Sequence, residues 1–377
     1  MTHAQMIQEN NTTSNDRLYI AFELSNSKWK LAFGNGMKKR EKTIVARDLT
    51  ALTDEIEKAR KRFNMADDVP IYSCYEAGRD GFWIHRYLES VGVHNLVVDS
   101  SSIEVSRRYR RAKSDRLDAN KLLSMLIRYL NGEQKLWSVL RVPGVEEEDA
   151  RRLTRELERL KKEKVAHRGR IKSLLALHGI VLKGKENILE VLEMEKYWDR
   201  KPLPPRIKNE ILREYHRYEL VQEQIKTLET EKKALMESSK EPGKKIAALT
   251  NLKGIGPKSS RTLVLEYFGW RKFKNVKEVG AAAGLAPTPY NSGASNKEQG
   301  INKSGNPRVR RTMIELSWLW LRWQPESDLS KWFMKNFGPG KRMRRVGIVA
   351  LARKLLVALW KYLETGLVPH GAVIDVA

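Results

Sequence analysis

The chain contains one cysteine, Cys74, in 377 residues. That excludes an intrachain disulfide and a cysteine-built zinc site, and it fits a reducing cytosol. No apolar run approaches the roughly 20 residues a membrane-spanning helix needs. The basic stretches also lack the one-sided apolar face of a surface anchor, so no membrane partner is expected. The opening MTHAQMIQENNTTSNDR has no apolar signal core, and residues 1–17 read as a disordered polar tail. There are seven histidines, none at paired metal-ligand spacing. Acid is short as well: 46 Asp and Glu stand against 71 Lys and Arg, a formal net charge of +25. The bases are spread along most of the chain, which makes a polyanion the expected partner, with nucleic acid first among polyanions.

The length predicts more than one domain. Residues 18–142 read as a mixed α/β unit in the order βββαβαβ and then a helix. LYIAFEL and KWKLAFG are strands around an SNS turn, and a third strand lies near 42–46. A helix over 48–63 puts Leu49, Leu52, Ile56 and Ala59 on one face. VPIYSCYEAG and HNLVVD are further strands, separated by the helix GFWIHRYLESVG. Residues 145–240 carry two apolar seams. The first runs through Leu153, Leu157, Leu160, Ile171 and Leu174, interrupted by Lys164 and His167. The second runs through Ile211, Tyr218, Val221, Ile225, Leu228 and Leu235. Matching seams predict an antiparallel coiled-coil arm or a dimerisation element. SSKEPGK reads as a linker. Residues 241–377 form a mainly helical, tryptophan-rich unit whose last helix starts with the bases of PGKRMRRVGIV.

Four acids stand out. Glu23 and Glu76 end strands in apolar or aromatic surroundings (IAFEL, YSCYEAG), where an acid is costly unless paired or metal-bound. Asp115 and Asp118, in KSDRLDA, lie three apart on a helix, where they repel. Each has an ordinary reading as a cap or an ion-pair partner. Together, in strand–strand–helix order, they match the layout of a ribonuclease-H-like Mg²⁺ site built from hard oxygen ligands. The bases Arg107, Arg108, Arg110, Arg111, Lys113 and Arg116 then read as phosphate contacts, or as a solvated basic face. LKGIGPKSS, with Gly254, Gly256 and Lys258, has the form of a helix-hairpin-helix, which brings backbone N–H groups to phosphate, or of an ordinary helix–turn–helix pair. GLAPTPYNSGASNKEQGINKSGNPRVRR reads as a loop with defined turns. It runs into Arg308, Arg310 and Arg311. Within it Ser292 is either a turn residue or a nucleophile for covalent phosphate capture, and Ser295 and Ser304 compete for that role. No histidine base is near, so Ser–His–Asp hydrolysis is not expected. The tryptophans at 318, 320 and 323 fit either a core or base stacking.

These stretches resemble the insertion sequence 110 transposases, including their 1111 group, the bridge-RNA-guided recombinases. The resemblance covers nearly the whole chain. It implies a RuvC-like (ribonuclease-H-like) domain over 18–142, a coiled-coil arm over 145–240, and a C-terminal transposase domain over 241–377. The family's Asp-Glu-Asp-Asp acids fall on Glu23, Glu76, Asp115 and Asp118. Glu23, one methylene longer, stands where the family has aspartate. The family's catalytic serine falls on Ser292. The resemblance further implies Mg²⁺ as cofactor, a 5′-phosphoserine intermediate, donor and target DNA, a non-coding guide RNA, dimers pairing to a tetramer, and a cytoplasmic, nucleoid-associated location. Two other readings remain open. One is a metal-dependent junction resolvase using water as nucleophile. The other is an RNA- and DNA-binding protein made inactive by the glutamate at 23.

Overall fold

Strand β1 (Leu18–Leu24) is buried from Leu18 to Phe22, so side chains on both of its faces need cover. The computed structural model, which describes residues 17–78, 81–103, 115–184, 186–194, 201–238, 240–292, 295–338 and 341–375, supplies that cover with helices on both sides of one sheet. The tail over 1–16 lies outside the described residues. The chain divides into two units, Met1–Val142 and Pro143–Ala377.

In the first unit β1, β2 (Lys28–Gly34), β3 (Lys39–Val45), β4 (Ile71–Glu76) and β5 (Val93–Val98) form a five-stranded sheet in the order β3-β2-β1-β4-β5. The first three strands are antiparallel neighbours; β4 and β5 run parallel to β1. One face packs Leu18, Ile20, Phe22 and Tyr75 under α1 (Leu49–Arg62) and α2 (Trp83–Ser90). Leu52, Ile56 and Ala59 point inward, as the helical spacing predicts. The other face packs Tyr19, Ala21, Tyr72 and Cys74 under α3 (Asp115–Leu130). Asp48 caps α1 by accepting the Ala51 N–H at 2.8 Å, a contact generally worth about 1 kcal/mol. The observed element order is the one the sequence predicts.

In the second unit α4 (Val145–Ala176) and α6 (Pro205–Ser238) pack on each other, with the short α5 (Ile188–Met194) beside their connection. Leu157 and Leu160 meet Val221 and Ile225, while Ile171 and Leu175 meet Ile211. Rising numbers on one helix meet falling numbers on the other, so the pair is antiparallel and closes within one chain. Leu175, not Leu174, is the buried residue; Leu153, Tyr218 and Leu228 are half-buried, and the side chain of Leu235 lies outside what the structure describes.

The supposed linker is helical: α6 runs to Ser238 and α7 spans Lys240–Thr250. Pro242 sits in the first turn of α7, where a missing N–H costs nothing. Next come α8 (Pro257–Leu263), a π-turn (Val264–Phe268) and α9 (Val276–Ala282). Three helices close the unit: α10 (Pro307–Trp323), α11 (Asp328–Phe337) and α12 (Lys341–Thr365). Their core gathers Leu263, Tyr267, Met313, Trp320, Leu355 and Leu359.

The predicted loop also differs. It contains a two-stranded ribbon, β6 (Pro287–Ser292) and β7 (Ser295–Ile301). Its Pro, Asn and Ser composition argues against a strand in a wide sheet. A ribbon with two open edges tolerates prolines, and the register slips at Pro287/Pro289. The ribbon is anchored at its base, where a Cβ at Gly305 would lie 2.1 Å from the Gly284 backbone nitrogen. Only glycine fits that approach.

Candidate functional site

The first candidate lies at the carboxyl ends of the parallel strands, where α/β sheets commonly place ligands. Phe22 pairs with Tyr75 across β1 and β4. One residue further, Glu23 and Glu76 stand on neighbouring strands about 4.8 Å apart. Side chains alternate along a strand. Glu23 follows Ala21 by two residues and Glu76 follows Cys74 by two, so both acids share the face that α3 covers. Helix α3 runs against these strands, with the Leu122 carbonyl 3.8 Å from the Cys74 thiol. One helical turn earlier is Asp118, about 6 Å along the axis and close to two strand residues. That brings Asp118 toward the level of Glu76. Asp115 begins the same helix, but its side chain, like that of Arg116, lies outside what the structure describes. Arg107, Arg108, Arg110, Arg111 and Lys113 fall outside the described residues.

Glu76 is exposed, whereas Glu23 and Asp118 are half-buried. Among the described residues no group of three or more Asp, Glu, His or Cys is gathered as a metal site. The acids nonetheless offer carboxylate oxygens alone, the donor set Mg²⁺ prefers. The neighbouring Cys74 is fully buried, and burial raises its thiol pKa, so it is an inert core residue.

The second candidate is the end of the β6–β7 ribbon. Ser292 is the last residue of β6 and pairs with Ser295; the side chains of both lie outside what the structure describes. The third serine, Ser304, is engaged locally, with its hydroxyl on Asn302 Oδ1. The arginines that follow are tied to protein groups. Arg308 Nε donates to Glu158 Oε2 at 3.0 Å, and Arg311 reaches Glu158 Oε1 at 3.6 Å. Arg310 donates to the Lys303 carbonyl at 2.8 Å. Arg308 and Arg311 therefore join α10 to α4 as well as lying near the ribbon in sequence.

Helices α7 and α8 flank the LKGIGPKSS turn. Gly254 has φ +90°, and Gly256 precedes Pro257 at the start of α8, leaving Lys258 exposed. A Cβ at Gly254 would lie 3.0 Å from Trp323 Cβ, and Trp323 is 44% exposed. Trp318 is also exposed, while Trp320 is buried with its indole N–H on Ser327. The three tryptophans therefore divide between surface and core.

One acid passed over in the sequence is Glu266, 1% exposed in the π-turn. Arg155 donates to both its oxygens at 2.8 Å, and Asn306 Nδ2 lies 3.2 Å from Oε2. Burial alone would raise the Glu266 pKa; Arg155 and Asn306 outweigh it and hold the carboxyl below the usual range. The residue locks α4, the π-turn and the base of α10 together. The signal that could have found it is the one that picked out Glu23, an acid inside an apolar run (TLVLEYF).

A family model described as Transposase IS116/IS110/IS902 family matches residues 246–330, a span holding the glycine turn, Glu266 and the serine ribbon. The chain is 41% identical over 379 residues to the putative transposase y4rJ of Sinorhizobium fredii, covering 95% of this chain and 94% of that one. It is 26% identical over 249 residues to the putative transposase y4qE of the same organism, covering 66% and 58%. It is 24% identical over 207 residues to the transposase for insertion sequence element IS1328 of Yersinia enterocolitica, covering 53% and 60%. With the first of these likenesses running through nearly the full length of both chains, the protein belongs to the IS116/IS110/IS902 family of insertion-sequence transposases.

Proposed function

We propose that the chain is an RNA-guided DNA recombinase that cuts and rejoins strands through a 5′-phosphoserine. The observation that carries this reading is Glu23 and Glu76 on one face at the carboxyl ends of adjacent parallel strands, with Asp118 on the helix across that face. The strand order, with three antiparallel strands followed by two parallel to the first, supports a ribonuclease-H-like assignment. Glu23, Glu76, Asp115 and Asp118 would hold Mg²⁺, which supplies charge stabilisation to phosphoryl transfer when bound.

The serine does the bond-making. Ser292 Oγ attacks a DNA phosphorus, forming an Oγ–P ester as the P–O3′ bond breaks. The serine proton ends on the released 3′-hydroxyl. A second strand's 3′-hydroxyl then attacks the phosphoserine, remaking a diester and returning the proton to Ser292. The number of phosphate ester bonds is conserved, so no ATP is consumed. The serine of one protomer working beside the acids of another, within dimers that pair to a tetramer, is part of the same proposal. A guide RNA reads the target by base pairing, leaving the basic protein to hold backbone and shape.

The test is a denaturing gel of the purified protein with its co-purified RNA, Mg²⁺ and labelled element-junction DNA, beside Ser292→Ala. A labelled protein band that disappears in the variant is the expected result. Free cleaved DNA from both proteins, with no adduct, would instead establish water as the nucleophile and a resolvase.

A further inference from the structure

One face of the helix pair α4 and α6 gathers cations and aromatic rings. Lys161, Lys164 and Arg168 are spaced three and four apart, so they share one face of α4. Lys161 Nζ donates to Glu229 Oε1 of α6 at 2.5 Å. Lys164 lies over the Tyr218 ring, 5.5 Å from its centre. Beyond Glu229 the row continues to Lys232 on α6. Burial, followed by the charges of Arg261, Lys161 and Lys258, lowers the Lys232 pKa, and Glu229 only partly offsets them. Arg261 and Lys258 belong to α8, just after the glycine turn. A row of cations thus runs from the helix-hairpin-helix onto the arm. Glu229 is the acid within the row, and the cations around it outnumber it, which favours a bound polyanion.

A cleft lies at the far end of that row. It has a volume of about 510 Å³ and opens between α4, α6 and the segment that joins them through α5. Its lining includes Lys164, Arg168, Tyr215 and Tyr218, with Glu186 and Glu219 as its two acids. The Tyr215 and Tyr218 rings are nearly parallel, at 26° with centres 6.4 Å apart. Tyr215 is fixed by its hydroxyl on Glu219 at 2.6 Å, a bond that raises its pKa to about 12. Arg168 is held at the rim by the Gly184 carbonyl at 2.5 Å. Both tyrosines are half-buried, which leaves ring surface open to the cleft.

We propose that this face of the arm is a binding track for single-stranded nucleic acid, with the phosphates along Lys161, Lys164, Lys232 and Arg261 and one unpaired base stacked on Tyr218 in the cleft. Stacking of an unpaired base on an aromatic ring, beside cations that follow the backbone, is how single strands are held without sequence readout. A duplex keeps its bases paired and cannot fill the cleft. The assignment rests neither on Ser292 nor on the sheet-end acids, so a failed adduct assay leaves it standing.

The experiment is fluorescence anisotropy of the RNA-stripped full-length protein with labelled single-stranded RNA, single-stranded DNA of the same sequence, and the corresponding DNA duplex. The proteins are wild type, Tyr218→Leu, Tyr218→Phe and Lys164→Ala, each checked for an unchanged melting temperature. Tyr218→Leu is expected to weaken single-strand binding roughly tenfold, with duplex binding unchanged. Tyr218→Phe keeps the ring and should bind as wild type does. Lys164→Ala should reduce the slope of log affinity against log salt by about one. A greater loss on RNA than on DNA would assign the track to the guide RNA; equal losses would assign it to either single strand. Unchanged single-strand binding by Tyr218→Leu, or an equal loss on the duplex, would overturn the proposal.

Discussion

Acids at the end of the first unit's sheet are treated differently from buried acids, including Glu55 of that same unit, which Arg40 and Lys58 enclose. At the end of the first unit's sheet, Glu76 is exposed, and among the described residues neither it nor Asp118 is held in an ion pair. In the second unit the buried acids are enclosed by bases. Glu266 takes both donors of Arg155. Glu214, 9% exposed on α6, accepts from His167 at 2.7 Å, Arg170 at 2.9 Å and Arg217 at 2.7 Å. A carboxylate already neutralised by fixed cations is fastening the structure. Among the described residues Glu76 and Asp118 are not fastened in that way, which is what the proposed metal site would require.

Substitution should separate the two kinds of acid. The largest expected effect is on chemistry: Glu76→Ala should reduce DNA strand cleavage on the order of a hundredfold or more. Its melting temperature should stay close to wild type, because an exposed acid at a strand end carries little packing. If Glu76→Ala instead unfolds the protein, the contrast between the two kinds of acid collapses. Next comes Glu266→Ala, which strands a half-buried guanidinium and should cost about 3–5 kcal/mol, read as a lower melting temperature and denaturant midpoint.

Glu214 gives a smaller, pH-dependent effect. Burial pushes its pKa up, but hydrogen bonds from His167 and Arg170 outweigh this and bring it down to about 2. A depressed carboxyl stabilises the fold above its unfolded value and loses that contribution as pH falls through its folded one. Denaturant titrations from about pH 4.5 down to 2 should therefore lose some 2–3 kcal/mol, a loss absent in Glu214→Gln. The smallest effect is that of Asn306→Ser. It keeps the cap on the Arg308 and Val309 N–H groups while removing the amide at Glu266, and should cost about 1 kcal/mol.

Much of this was legible from residue order alone. The apolar runs of LYIAFEL and KWKLAFG, and the spacing of Leu52, Ile56 and Ala59, led to the observed elements because helices cover both faces of the sheet and α1 packs by one face. The arm's seam was legible except where burial is shared with charge. Lys164 and His167 looked like interruptions, yet His167 completes the Glu214 cluster and Lys164 stands 5.5 Å from the centre of the Tyr218 ring. Local composition misled at 238–244, where Pro and Gly in a first turn pass for a linker. It misled again at 287–301, where prolines hid a two-stranded ribbon. Glu266 was missed because its partners, Arg155 and Asn306, lie far away in sequence, so nothing local distinguishes it from an acid awaiting a metal.

The central claim is that the sheet-end acids are kept for a divalent cation. The most direct measurement is electron paramagnetic resonance of free Mn²⁺, titrated into the Ser292→Ala protein bound to RNA and junction DNA, beside the same complex carrying Asp118→Asn as well. The account predicts tight Mn²⁺ uptake by the first and weakened uptake by the second. Equal uptake by both would contradict it and return Asp118 to the ordinary surface of a helix.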